Sequence, residues 1–517
     1  MTHFTRIDRR EFLQRSVVGG TTLGVALNDG LSENSKYGAP VPANDRITVG
    51  MIGVGARAQQ LMVSIMSLPE TEIVGVCDAY KGRLERAVER TKKRARVYAD
   101  FREMISDKSI DTVVIATPDH WHAPIAIAAV QAGKDVYIEK PLTYTVEEGN
   151  AIIGEVRKHS RILQVGSQGV SSRIQIKARE LIASGRLGQV TMIRAFFNRN
   201  TAGGAWIYPI PPDASPETVD WAMFLGPAPK RPVDYARFFR WRCYQDYSGG
   251  IATDLFVHLA TSIHFMMNAK MPANVVGLGQ LYRWKESRDV PDTLNAILEY
   301  PEGFTVSLSA TFNNQVSAES GFQILGTKGS IILGNTLVFI PEVISDDNRW
   351  IVDSWPAGME DAYYRDPKIR YEEMPATREP EVIQSQEQYQ EIGLDPTDVH
   401  FRNFFASVKT RKQPPEDALA GHVLDCLFES YNRPAIGMAL ITQRKKLFEE
   451  LPMGIILAHL DLFEDNPFFL GNLVRGKGRV FYRIQEEFQT LFKGLGRYHN
   501  VVDRIVIGGK GIYAAAQ

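Results

Sequence analysis

The sequence predicts an α/β protein: an N-terminal doubly wound parallel sheet, then an α+β domain built on a mostly antiparallel open sheet. Three observations carry this expectation. Between Arg46 and Gln168, apolar strand-like runs alternate with helical segments, the pattern of a parallel sheet covered on both faces. After about Ser171 longer β-rich runs with tight turns take over. A glycine pair also closes the first strand and opens the first helix, where such folds bind ligands.

The elements follow in order. "RITVGMIGVG" is a strand ending in glycines, and "ARAQQLMVSIMSL" follows at helical spacing. "TEIVGVCDA" is the next strand and "KGRLERAVERTKKR" a charged amphipathic helix. "DTVVIATP", "HAPIAIAAVQAG", "KDVYIEK", "VEEGNAIIGEVRKHS" and "ILQVGSQ" continue the alternation. Right-handed crossovers make this doubly wound. Beyond it, the helix "SSRIQIKARELIASG" leads to "QVTMIRAFFNRN" and a Pro- and Trp-rich stretch over 201–248. A helix from about Gly250 to Met267 follows. "NVVGLGQLYRW", "TLNAILEYPEGFTVSLSATFNN" and "SGFQILGTKGSIILGNTLVFI" then read as strands, with "YPEGF" and "GTKGS" as hairpin turns. A polar, Pro-dotted region (341–396) precedes helices at "DVHFRNFFASVKTRK" and "PEDALAGHVLDCLFESY". The expected divisions are 1–45, 46–168, 169–450 and 451–517, the last an extension of unknown role.

With 59 basic and 60 acidic residues, nothing in the charge points to nucleic acid. No apolar run is long enough to span a membrane. Cys77, Cys243 and Cys426 lie too far apart for a zinc spacing or a disulfide framework, and read as buried apolar residues. No metal site is expected. At the N-terminus, Arg9 and Arg10 precede Phe12, Leu13 and a mildly apolar segment, an order that resembles a twin-arginine export signal. Asp8 and Gln14 depart from its usual form. The reading places the protein outside the cytoplasm by way of the twin-arginine machinery; without it, residues 1–45 are a basic tail on a cytoplasmic protein.

"GMIGVGARA" has Gly53 and Gly55 at G-x-G spacing, with Ala58 where a third glycine often stands. Gly53 permits the tight turn, Gly55 lets the backbone approach a pyrophosphate at the helix N-terminus, and Ala56 and Arg57 beside it are further cofactor-binding candidates. Asp78 ends the second strand, where an acceptor for the adenosine ribose belongs; its other reading is a helix N-cap. Together these residues predict dinucleotide binding. An aspartate there repels a 2′-phosphate, which favours NAD over NADP, although Lys81 lies close by.

"TPDHWH" (117–122) and "EKP" (139–141) both fall at carboxyl ends of predicted parallel strands, the ligand crevice of this fold. Thr117, Pro118, Glu139 and Lys140 are therefore expected beside the cofactor. Pro141 aims Lys140, and Glu139 either holds the ammonium or lines the pocket. For His122 a place in the pocket and a place at the helix start stay equally open; Gln168, at the next strand end, is a further candidate. Asp254 and His258 stand four apart in a predicted helix. A histidine there can take a hydroxyl proton while a carboxylate orients its ring. A surface ion pair is the alternative, but the preceding "DYSGG" favours the first. His264 faces elsewhere and reads as structural. Most of Trp206, Tyr208, Trp221, Trp241, Tyr244 and Tyr247 read as packing between the domains; sugar stacking is the other use.

"GVGARA", "CDAYKGRLERA", "TPDHWHAPIAIAAVQAGKDVYIEKPLT", "QVGSQ" and "GGIATDLFVHLATSIHFMM" together resemble the glucose–fructose oxidoreductase, inositol dehydrogenase and MocA family, over about residues 46–440. The resemblance implies a Rossmann domain and NAD(P)-dependent action on sugars or cyclitols. It also implies homo-oligomers packed through the open sheet. It makes Lys140 the catalytic lysine and Asp254 and His258 the family's Asp-x-x-x-His pair. Two chemistries fit: net hydride transfer, or glycoside hydrolysis by transient oxidation, elimination, water addition and re-reduction, an exception to paired-carboxylate hydrolysis. A non-catalytic sugar-binding protein ranks last. Export would require a tightly held nucleotide, since no NAD pool lies outside the cytoplasm to recharge it.

Overall fold

The computed structural model of the chain describes Pro42 and residues 45–316, 320–342, 349–367 and 386–428. The expectations for the twin-arginine segment and for 451–517 lie outside the described residues.

Six parallel strands form the first sheet: β1 (Ile47–Ile52), β2 (Thr71–Cys77), β3 (Arg96–Val97), β4 (Thr112–Ile115), β5 (Asp135–Glu139) and β6 (Leu163–Gly166). Their order is β3-β2-β1-β4-β5-β6. The winding reverses between β1 and β4, so the crevice of the doubly wound fold opens at their carboxyl ends. β4 and β5 are buried throughout, which is why they read as unbroken apolar runs. One core layer joins Ile52, Ile115 and Ile138 to Ala126, Val130 and Ile152 from the helices His122–Gln131 and Val146–Lys158. The other joins Val49, Met51 and Tyr137 to Leu61 and Ile65 of the helix Ala56–Ser67.

That second layer also contains Phe401, Phe404 and Phe405 of the helix Pro396–Thr410, with the Phe401 ring stacked 4.4 Å from Tyr137. Their i, i+3, i+4 spacing marks an amphipathic helix, but its partner is the parallel sheet rather than the remainder of 169–450. Arg411 anchors the return, with its Nη1 2.6 Å from Asp135 Oδ2.

The second sheet has eight strands: β7 (Val190–Asn198), β8 (Asn274–Gln280), β9 (Thr293–Tyr300), β10 (Phe304–Thr311), β11 (Ser320–Gly326), β12 (Gly329–Leu333), β13 (Thr336–Pro341) and β14 (Glu387–Gln390). Their order is β14-β13-β12-β11-β7-β10-β9-β8, antiparallel except for β7 beside β10. In β9 buried and exposed residues alternate, because one face packs on the helices Arg173–Ala183 and Val257–Met267 while the other is open. β3, β14 and the helices Phe101–Ser106 and Ala357–Arg365 were not legible as elements, being short or polar. The stretch 201–248 carries short helices and an aromatic cluster of Trp221, Phe224, Phe238, Phe239 and Tyr247, which packs against Tyr80.

Candidate active site

The site begins at the turn after β1. Gly53 has φ +78°, and a Cβ there would lie 2.8 Å from the main chain of Ala116 and Thr117. No side chain caps the helix Ala56–Ser67 behind Gly55, so its first N–H groups have no side-chain acceptor. The Asp78 carboxylate accepts from Val54 N (2.8 Å) and Tyr80 N (2.9 Å), fastening the glycine turn to β2. It caps this turn rather than the next helix, whose N-cap is Tyr80. Arg83 comes within 3.6 Å of Asp78 and lies over Phe238 and Phe239, each ring centroid 5.3 Å away.

At the end of β4, Thr117 and Pro118 line the same cavity, and Thr117 Oγ1 is buried with no hydrogen-bond partner among the described residues. At the end of β5, Glu139 Oε1 accepts from Arg57 Nε (3.1 Å) and Gln168 Nε2 (2.8 Å). Glu139 therefore lines the pocket and does not hold the Lys140 ammonium. Gln168 also bonds the Tyr137 hydroxyl at 2.6 Å and stands behind Glu139, not in the cavity. His122 is likewise outside the cavity. Its Nδ1 lies 2.6 Å from Pro141 O and its Nε2 3.0 Å from Thr117 O, tying together the two strand ends that present Lys140 and Thr117. The Lys140–Pro141 peptide is cis. His120 is enclosed by Trp121, Phe224 and Tyr247, and burial lowers its pKa to about 4.

Lys140 Nζ donates to the Asp254 main-chain O at 2.7 Å and to Asp254 Oδ1 at 2.9 Å. Arg242 Nε donates to the same Oδ1 at 3.0 Å. Burial opposes the Asp254 charge, but Lys140 and Arg242 outweigh it and hold the carboxyl well below its ordinary range. Burial likewise opposes the Arg242 charge, which Asp254 more than restores. Residues Ala252–Phe256 form a π-helical turn that leads into the helix Val257–Met267. This wider turn changes the expected i, i+4 relation. Asp254 faces Lys140 and Arg242 and makes no hydrogen bond to His258. The His258 ring lies 6.2 Å from that of Phe197, and burial, then Lys140, keeps its pKa well below the ordinary value. His264 bonds the Tyr300 hydroxyl at 2.8 Å, a packing role.

One cavity of about 490 Å³ joins Gly53, Gly55, Ala56, Arg57 and Asp78 to Thr117, Pro118, Glu139, Lys140, Asp254 and His258. That size suits a small-molecule and cofactor site. The far wall comes from residues without a motif: Arg199, Trp206, Tyr208, Phe238, Phe239, Trp241 and Arg242. Of these, Trp206, Tyr208 and Trp241 stood among the aromatics that the sequence left between inter-domain packing and sugar stacking, whereas nothing marked Phe238, Phe239 or the arginines. Behind the wall, Asp119 is buried; burial first, then Asp254, pushes its carboxyl up to about 7, although Arg242 and Lys140 oppose the shift. A cradle at Gly53 that no Cβ can enter, an uncapped helix start and an unpartnered Thr117 hydroxyl fit a dinucleotide. Gly53, Gly55, Ala56, Arg57, Asp78, Thr117 and Glu139 are the residues that would hold it.

A doubly wound nucleotide domain whose crevice is closed by a second, open-sheet domain carrying an acid and a histidine defines a class of two-domain dinucleotide-binding proteins. The family models agree: "Oxidoreductase family, NAD-binding Rossmann fold" matches residues 47–167, and "GFO/IDH/MocA C-terminal domain" matches 176–332. The chain belongs to the GFO/IDH/MocA oxidoreductase family, the two models together spanning more than half of it. It is 30% identical over 205 residues to an alpha-N-acetylgalactosaminidase of Shewanella oneidensis, covering 36% of this chain and 44% of that protein. It is 29% identical over 158 residues to an inositol 2-dehydrogenase of Salmonella paratyphi B, covering 30% of this chain and 47% of that one. These matches thus span less than half the length of either relative. Among solved structures, levoglucosan dehydrogenase in complex with NADH and levoglucosan superposes at TM-score 0.54 and 19% identity, over 75% of this chain and 98% of that one. An aldose-aldose oxidoreductase of Caulobacter crescentus does so at 0.54 and 16%, over 75% and 97%, a likeness of fold.

Proposed function

We propose that the protein is an NAD-dependent oxidoreductase acting on a hydroxyl-bearing carbon of a sugar or cyclitol. The observation that carries this reading is Lys140, held 2.9 Å from Asp254, sharing one cavity with the Gly53 turn and His258. A nicotinamide held there would supply the redox chemistry, the acceptance or return of a hydride. The chain supplies the rest. His258, kept neutral by burial, accepts the hydroxyl proton, and Lys140 hydrogen-bonds the same oxygen to orient it. Asp254 and Arg242 position Lys140. Asp78 at the adenosine end supports NAD over NADP. The test follows nicotinamide absorbance with a panel of sugars and cyclitols; Lys140→Met should lower turnover about 10²–10⁴-fold while the nucleotide stays bound.

A second reading, redox-neutral glycoside hydrolysis, is favoured by the likeness to the Shewanella oneidensis alpha-N-acetylgalactosaminidase. Transient oxidation acidifies the neighbouring C–H, the glycosidic group leaves by elimination, water adds and the ketone is reduced again. Release of p-nitrophenol from p-nitrophenyl glycosides without net NADH would establish it.

Export by the twin-arginine route rests on Arg9, Arg10, Phe12 and Leu13, and is tested by locating the mature protein and its bound nucleotide after fractionation. Homo-oligomerisation through the open sheet is supported by the outward row of Met192, Val276, Leu278, Ile297 and Ile332, all exposed. Light scattering of wild type and Ile297→Lys tests it.

A further inference from the structure

The substrate end of the cavity holds more positive than negative charge. Lys140, Arg199 and Arg242 line it together with one carboxylate, Asp254; Asp119, close behind but outside the lining, has its carboxyl pushed up to about 7 by burial and so carries only part of a charge at neutral pH. The Asp254 carboxylate serves Lys140 and Arg242 at once, through one oxygen. Arg57, towards the cofactor end, is matched by its own partner Glu139. Arg199 has no carboxylate within 4.0 Å among the described residues. It lies over the Phe197 ring, 5.6 Å from its centroid, and its one side-chain hydrogen bond among the described residues reaches Gly204 O at 3.4 Å. Phe197 is also the ring beside His258, which places Arg199 next to the reacting end. Arg242 gives its Nε to Asp254 and stacks 4.1 Å over Trp241, with no other protein acceptor among the described residues.

The cofactor does not account for this surplus. Its pyrophosphate belongs at Gly55 and the helix N-terminus, where Arg83 stands 3.6 Å from the position of a Gly55 Cβ. Arg199 and Arg242 stand instead with Trp206, Tyr208 and His258. A neutral polyol would offer these two guanidinium groups hydroxyl acceptors but no charge to balance theirs. The planar fork of arginine matches an oxyanion through paired hydrogen bonds. Trp206 and Tyr208 beside it suit the apolar face of a sugar ring.

We propose that the substrate is an acidic carbohydrate, whose anionic oxyacid group is held by Arg199 and Arg242 while its reacting carbon lies at Lys140 and His258. This rests on the carbohydrate oxidoreductase reading above. Carboxylate, sulfate ester and phosphate ester share the chemistry, and the experiment separates them.

The experiment is calorimetric titration of the nucleotide-loaded protein with D-glucuronate, glucose 6-sulfate, glucose 6-phosphate, glucose and inorganic sulfate. At least one anionic sugar should bind about tenfold or more tighter than glucose. The tightest of the three identifies the anion. Arg199→Met should erase the gap and Arg199→Lys retain part of it, with stoichiometric nucleotide in each variant showing that the site is still built. Glucose binding as tightly as its anionic counterparts would overturn the proposal. So would a gap that survives Arg199→Met, or no binding of any anion. Anion binding that depends on Arg199, without any nicotinamide turnover, would instead sink the oxidoreductase reading and leave anion recognition standing.

Discussion

Lys140 and Asp254, 114 residues apart in the chain, meet at 2.9 Å, and Arg242 reaches the same carboxylate oxygen at 3.0 Å. One buried anion thus holds two cations. Removing it leaves both unpaired in a half-closed site, so Asp254→Asn should cost about 3–5 kcal/mol of stability. It should also lower kcat more than it raises KM, because Lys140 loses its position. Urea unfolding and steady-state kinetics check the two effects separately. Arg242→Met, which leaves the Lys140–Asp254 pair intact, should be the milder change.

His258 acts as a base only when neutral. Burial and Lys140 depress its pKa, so the neutral form persists on acidification well past the ordinary value of 6.5. The kcat/KM profile should therefore be flat through neutrality, with its acid limb below 6.5. A limb at or above that value would contradict the assignment. His258→Asn should remove the limb and lower the rate about 10²–10⁴-fold.

Gly53→Ala should fail for two reasons: φ +78° is strained for alanine, and its Cβ would stand 2.8 Å from the Ala116 main chain. Backbone strain of this kind costs about 1–3 kcal/mol. The turn must also shift where the nucleotide lies, so nucleotide released on denaturation should fall well below one equivalent. Retention of a full equivalent would show that the turn is not the cradle.

Glu416 is buried, and burial, followed by Asp417, raises its pKa from 4.5 to about 8. The folded protein therefore holds a proton that the unfolded chain releases near 4.5. The stabilising contribution is complete below 4.5 and is lost as pH rises through about 8. Glu416→Gln keeps the shape without the charge, so it should flatten the dependence of the urea midpoint on pH across that window. An unchanged slope would mean that Glu416 titrates normally.

Wherever a short segment bears its own reason, the sequence was sufficient. Gly53, Gly55 and Asp78 belong to one strand–turn–helix–strand unit, and Glu139, Lys140 and Pro141 to one strand end. Local geometry alone places both at the mouth of a parallel sheet. The strand around β9 and the helix bearing Phe401, Phe404 and Phe405 were legible for the same reason, since side-chain period follows backbone period. What covers such a face is not a local property, and only the fold brings those phenylalanines onto Tyr137.

The same limit governs the chemistry. His122 and Gln168 stand at the right strand ends, yet hydrogen bonds to Pro141, Thr117, Tyr137 and Glu139 turn them away from the cavity. Arg199 and Arg242 carry no motif and enter the site only because the segment around them folds back over the crevice. By itself the sequence determined the α/β plan of two sheets and the nucleotide turn, and it put Lys140, Asp254 and His258 forward as candidates. The tertiary structure alone decided which carboxylate holds which cation and what charge lines the cavity, because contacts across a hundred residues depend on packing that no local spacing encodes.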